Sequence, residues 1–236
     1  MEGIAHWDVK KVRFDFPTFG KMLQYGLPSA LTSVLYPIGN LQIQAGINSF
    51  GASTIAGNTA STQYESIVNN ACAALSATAM TFVGQNLGAK KKERVYRSFF
   101  YSQAIETAMA TTLAFSFFFL GKWLLPIFTG EDALAVSQGL IRMKYFLLFY
   151  PIAMNVFGST LQAFGYPTVQ TTINLVGIFG FRTLWMQFIY GNILPETVEN
   201  IYLCFPISIV LVHSVTAALV TFVLLRYRTG KYKENL

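Results

Sequence analysis

The sequence predicts an all-α integral membrane protein built as a bundle of six transmembrane helices. Three observations carry that prediction. Only 12% of the 236 residues are charged and 53% are hydrophobic, where ordinary soluble domains carry about 25% charged residues. Mean hydropathy is +0.44, and uncharged runs recur that are long enough to cross a hydrocarbon core of about 30 Å. The basic residues gather in three segments outside those runs, Lys10 to Lys21, Lys90 to Arg97 and Arg226 to Lys233. The net charge of +6 therefore reads as an orientation signal and not as a nucleic-acid footprint.

Residues 1–21 form a polar, partly basic lead-in with Lys10, Lys11, Arg13 and Lys21. The first span, about 22–50, has no charge at all and holds Pro28 and Pro37. A mid-span proline removes a backbone donor, so Pro37 is expected to bend the helix. Ser33, Pro37, Asn40, Gln44 and Asn48 share one face at helical spacing, which lipid would penalise. The second span, about 54–83, carries Glu65 alone, in a stripe with Asn69, Cys72 and Ser76. The basic loop Lys90 to Arg97 follows, and the positive-inside rule places it in the cytoplasm.

The third span, about 98–120, carries Glu106. The acidic pair Glu131 and Asp132 then opens a short helix on the opposite side, leaving Lys122, Arg142 and Lys144 outside. The fourth span, about 145–164, is uncharged, and Gly165-Tyr166-Pro167 makes a tight turn. The fifth, about 168–190, carries Arg182; the sixth, about 201–225, carries His213; residues 226–236 are a basic tail. Six spans put both termini on the cytoplasmic side, in a multi-pass protein of the cell membrane.

Cys72 and Cys204 sit inside apolar runs and read as small buried hydrophobes. The first twenty residues mix acids and bases and contain no apolar stretch of a cleavable signal. No Walker A, HExxH or GxSxG pattern occurs, and the intramembrane acids are too scattered for a metal or a carboxylate dyad. These absences point away from an enzyme and from a bound cofactor or metal.

Three stretches resemble one family. They are Gly26-Leu27-Pro28-Ser29-Ala30-Leu31, Phe82-Val83-Gly84-Gln85-Asn86-Leu87-Gly88-Ala89 and Phe128-Thr129-Gly130-Glu131. They resemble the MATE multidrug and toxic compound extrusion transporters, and more narrowly the second, C-terminal six-helix lobe of those proteins. The lead-in resembles the linker between their two lobes. The resemblance implies a proton- or sodium-coupled antiporter that exports organic, often cationic, drugs or toxins. It also implies twelve helices, so this chain would be one half. The first lobe would lie on the same original chain, on a separate chain or in a second copy. Where some sodium-coupled members carry a mid-helix acid, this chain has Tyr36.

Tyr36, Asn40, Gln44 and Asn69 are the expected lining of a substrate cleft, with helix–helix hydrogen bonding as the rival role. Glu106, Arg182 and His213 fall in the middle third of their spans, where ionisable groups turn inward and find partners. Either they form a proton or cation relay in which Arg182 holds Glu106 ionised, or that pair pins two helices together. Glu65, near the outer end of its span, either attracts cations or reaches to the interface. Two further readings stay open: a flippase for lipid-linked sugars, which would need a more basic cavity than Arg182 alone supplies, and a half that does not transport.

Overall fold

A computed structural model describes residues 15–150 and 155–230. Apart from one isolated Tyr190–Leu194 bridge, their regular structure is helical. The helices are α1 (Phe16–Asn48), α2 (Ala52–Gly88), α3 (Lys92–Leu124), α4 (Pro126–Thr129), α5 (Ala133–Phe149), α6 (Asn155–Ala163), α7 (Pro167–Asn174), α8 (Phe181–Leu184) and α9 (Val198–Arg228). Two π-helical segments, Leu175–Gly180 and Trp185–Ile189, flank α8. Among the described residues α2, α3 and α9 are long and apolar enough to cross a membrane. Residues 1–14, the end of the basic tail from 231 and the side chain of Tyr36 lie outside what is described.

Charge ends the apolar runs without ending the helices, because Lys and Arg are good helix formers. The basic loop accordingly shrinks to Ala89–Lys91, with Lys90 in a left-handed conformation at φ +55°. Arg94 and Arg97 already belong to α3, where Arg97 pairs with Glu93 at 2.6 Å. At the other end of the chain's first helix, Asp15 accepts the Thr18 amide at 3.2 Å and Pro17 follows in the first turn. The last residues of the lead-in thus belong to α1, which runs unbroken through Pro28 and Pro37. The expected turn at Gly165-Tyr166-Pro167 is present: Gly165 takes φ +87° and Pro167 opens α7.

The fourth span differs most from expectation. The short helix expected after Glu131 and Asp132 is present, but it runs on from Ala133 through Phe149 without a stop before Tyr145, so Arg142 and Lys144 lie on the same helix as the start of the expected span. Asp132 caps it, accepting the amides of Leu134 and Ala135 at 3.0 and 3.1 Å and the Ser53 hydroxyl at 2.7 Å. The Ala135 amide, then the Ser53 hydroxyl, hold the Asp132 carboxyl below the ordinary aspartate range.

Helix α2 is the hub, packed along α3, α5 and α6. Its crossing with α5 is made by glycine. A Cβ on Gly57 would stand 2.2 Å from the Ala135 carbonyl oxygen and 2.7 Å from the Gly139 nitrogen. One turn on, Ser61 donates to the Gly139 carbonyl at 2.7 Å. Small residues let helix backbones approach this closely where lipid removes the hydrophobic drive for association. Around the hub the core divides into clusters. One joins Ala79, Val83, Val95, Phe99 and Val220; another joins Val68, Cys72, Ala110, Ala114 and Phe146.

Two outcomes are expected. Gly57→Ala forces α2 and α5 apart and destabilises the folded protein by about 1–3 kcal/mol, the usual range for overpacking, read by denaturant titration in detergent micelles. Asp132→Ala lowers the thermal midpoint at neutral pH. Because the folded carboxyl titrates lower than an unfolded one, this difference holds above the ordinary aspartate range. It shrinks as pH falls through the depressed folded value. Midpoints of both proteins measured across that range check it.

Candidate functional site

One stripe of α2 mixes polar and small residues and ends on a methionine. Thr62, Ser66, Asn69, Ala73, Ala77 and Met80 recur every three or four residues and remain exposed, so they share a face of the helix. Two cavities open on that face and meet at Asn69. The first, of about 290 Å³, is lined by Asn40, Gln44, Asn58, Thr62, Glu65, Ser66, Asn69, Arg142, Arg182 and Phe205, with Ile43, Ile47 and Ile209. The second, of about 400 Å³, continues from Asn69 past Ser76 to Met80 and takes in Asn155, Ser159, Gln162, Gln170, Asn174 and His213.

The glycine crossing explains the charges of the first cavity. Gly57, Ser61 and Glu65 are successive residues of one α2 face, and Gly139 lies one turn before Arg142 on α5. Close backbones at Gly57 and Gly139 bring the next turns together. Arg142 Nη2 donates to Glu65 Oε2 at 2.7 Å, with the side chains only 7% and 14% exposed. Glu65 is therefore a partner inside the bundle and does not reach out to the interface.

Arg182 sits on α8 between the two π-helical segments, a wider winding that is frequent at functional sites. Its Nη1 donates to Asn40 Oδ1 at 2.6 Å and its Nε to the Ser208 hydroxyl at 3.3 Å. Gln44 accepts from Asn58 at 3.3 Å and donates to Asn48 at 2.9 Å. Asn69 accepts the Tyr150 hydroxyl at 2.8 Å. The Phe205 ring lies against both arginines, with its centre 3.9 Å from the Arg142 guanidinium carbon and 4.6 Å from that of Arg182. Each contact is a cation–π geometry.

Asn40, Gln44 and Asn69, expected along a cleft, line the first cavity together with Glu65 and Arg182, which the sequence assigns elsewhere, and His213 lines the second. Glu106 stands apart. It is fully buried and accepts the Val156 amide at 3.1 Å. That amide is in the first turn of α6, so Glu106 satisfies a helix N-terminus that would otherwise be orphaned. It lines neither cavity among the described residues. The expected Glu106–Arg182 pair is absent from the ion pairs of the described residues: the carboxylate faces α6 and Arg182 faces Asn40 and Ser208.

Arg142 and Phe205 escape sequence reasoning. Arg142 reads from the sequence as a cation on the outer side, with Lys122 and Lys144. The signal for it is the pairing of spacings, Gly57/Ser61/Glu65 against Gly139/Arg142, two small-residue faces that each end in a charge. Phe205 carries no signal, since one aromatic in an apolar span is ordinary.

A family model described as MatE matches residues 28–185. An FAD transporter of Shewanella oneidensis is 26% identical over 177 residues, covering 72% of this chain. The chain spans 37% of the length of that relative.

The geometry separates two pairs by double-mutant cycles. Arg142→Gln alone strands a buried carboxylate, so it is expected to cost more stability than the double change with Glu65→Gln, with a coupling of about 0.5–3 kcal/mol. Glu106→Gln and Arg182→Gln are expected to add within about 0.5 kcal/mol. Unfolding free energies of the single and double variants give both couplings.

Proposed function

This chain belongs to the MATE family of membrane transporters, and from that premise we propose that it forms one six-helix lobe of a cation-coupled antiporter exporting organic solutes. The family transports solutes and is not enzymatic. One observation carries the reading. The α2 face that lines both cavities runs as a seam from Thr62 to Met80, and its polar members, Thr62, Glu65, Ser66, Asn69 and Ser76, extend as far as Ser76. At about 1.5 Å per residue the polar part rises about 21 Å, roughly two-thirds of the hydrocarbon core. A polar face of that length would be unfavourable against lipid, and it suits a water-lined path.

In this reading α1, the stretch of α5 and α6 taken as one crossing, and the segmented α7–α8 region complete the six crossings, and the basic loop at Ala89–Lys91 and both termini face the cytoplasm. Transporters of this kind rock two bundles around a site near the midplane. One lobe supplies one wall of that site. The short span of the relative that the chain covers fits a wall that needs a second lobe, on another stretch of chain or in another copy. The relative carries FAD, which makes a large aromatic solute one cargo to try here. The flippase alternative gains from Arg142, which stands beside Arg182 and makes the cavity more basic than either alone.

The test is cysteine scanning of the chain in lipid vesicles with a water-soluble maleimide. Ser66→Cys, Ala73→Cys and Ala77→Cys are expected to react, and Ile67→Cys and Phe82→Cys, exposed on other faces of α2, are expected to stay unlabelled. Equal protection of all five positions overturns the path. Vesicles in which crosslinking shows only monomer are expected to give no gradient-driven dye flux.

A further inference from the structure

The cavity at the Glu65 end of the seam carries an uneven charge. Among the described residues its charged lining is Arg142, Arg182 and Glu65, two guanidiniums against one carboxylate. Both arginines are almost fully buried, Arg142 at 6% and Arg182 at 2% exposure. Arg182 donates to Asn40 and Ser208, which are neutral. Arg142 meets Glu65 through Nη2 alone; its Nη1 is buried with no acceptor among the described residues.

A guanidinium is an always-charged fork of five donors shaped for carboxylate and phosphate oxygens. A buried donor of a charged group left without an acceptor is costly, so an entering oxyanion relieves it. The two guanidinium carbons lie 3.9 and 4.6 Å from the same Phe205 ring centre, close enough for one anionic group to feel both charges. A cation entering the same cavity meets a net positive wall.

Resting on the reading of the seam as a transport path, we propose that this cavity receives the acidic group of an organic anion, seated between Arg142 and Arg182. The carboxylate, sulfonate or phosphate enters as Phe205 shifts, and the body of the molecule lies along Phe205 and Ile209. Glu65 competes with the anion for Arg142, so it sets how tightly the anion is held. The cargo is then an amphiphile bearing a negative group, not the cationic amphiphile that family resemblance implies.

The test uses the 236-residue chain in phosphatidylcholine nanodiscs and two dyes built on one xanthene ring. Carboxyfluorescein is an anion and tetramethylrhodamine methyl ester a cation. Fluorescence anisotropy is expected to show the anion binding at least about tenfold tighter. Arg142→Gln and Arg182→Gln are each expected to weaken it about tenfold, as loss of a charge-assisted bidentate site does. Glu65→Gln is expected to tighten it several-fold, a gain that misfolding cannot produce. Equal or tighter binding of the cation, no binding of either dye, or a Glu65→Gln affinity no higher than the parent overturns the proposal. Displacement of the dye when phosphatidylglycerol is added assigns the site to a lipid headgroup and overturns a soluble cargo. Cysteine labelling of the seam is read separately. A labelled seam with a preference for the cation sinks the anion alone, and a protected seam sinks the path.

Discussion

A guanidinium and a carboxylate held 2.7 Å apart inside a helix bundle constrain everything around them. Either charge left alone and buried away from water would be costly. The pair is tolerable only where helix backbones lie close enough for short reach and good geometry. Gly57 and Gly139 supply that closeness, and Ser61 ties it with a hydrogen bond to the Gly139 carbonyl. The α2–α5 crossing is therefore a packing device and an electrostatic one at once. It also brings Glu65 and Arg142 into the lining of the first cavity.

The same logic sorts the other buried charges by what they satisfy. Glu106 serves backbone, closing the N-terminus of α6 through the Val156 amide. Arg182 serves side chains, holding Asn40 and Ser208 and resting on Phe205. Both are nearly inaccessible, yet one braces a helix end and the other faces a cavity. Burial and charge do not separate these roles; the partner does. The π-helical segments around α8 belong to this distinction, since they place Arg182 on a stretch wound differently from the long, regular α9 beside it.

Much of the architecture is legible along the chain. The low charge, the apolar runs and the basic clusters announce a helical membrane protein, and the Gly165 turn and the helices around Glu65, Glu106 and His213 appear where the sequence places them. Helix ends are less legible, because a charge stops an apolar run but does not stop a helix. Asp132 shows the difference: it caps α5 well before the apolar run that the sequence reads as the fourth span. That continuity takes Arg142, expected outside, into the bundle.

The sequence by itself determined which residues are polar among apolar neighbours, and so marked Asn40, Gln44 and Asn69 as one group and Glu65, Arg182 and His213 as charges or ionisable groups inside spans. Helical spacing is a local property, and local periodicity is enough to place residues on a common face. It could not determine which faces meet. Glu106 and Arg182 have the charges and depth of a pair, and sequence offers no distance between α3 and α8. The tertiary structure decided that Glu65 pairs with Arg142, through an approach of two backbones that only paired glycines permit. It also placed Phe205 against both arginines. Partner choice depends on helix crossings between residues far apart in the chain, and no periodicity within one helix records where another crosses it.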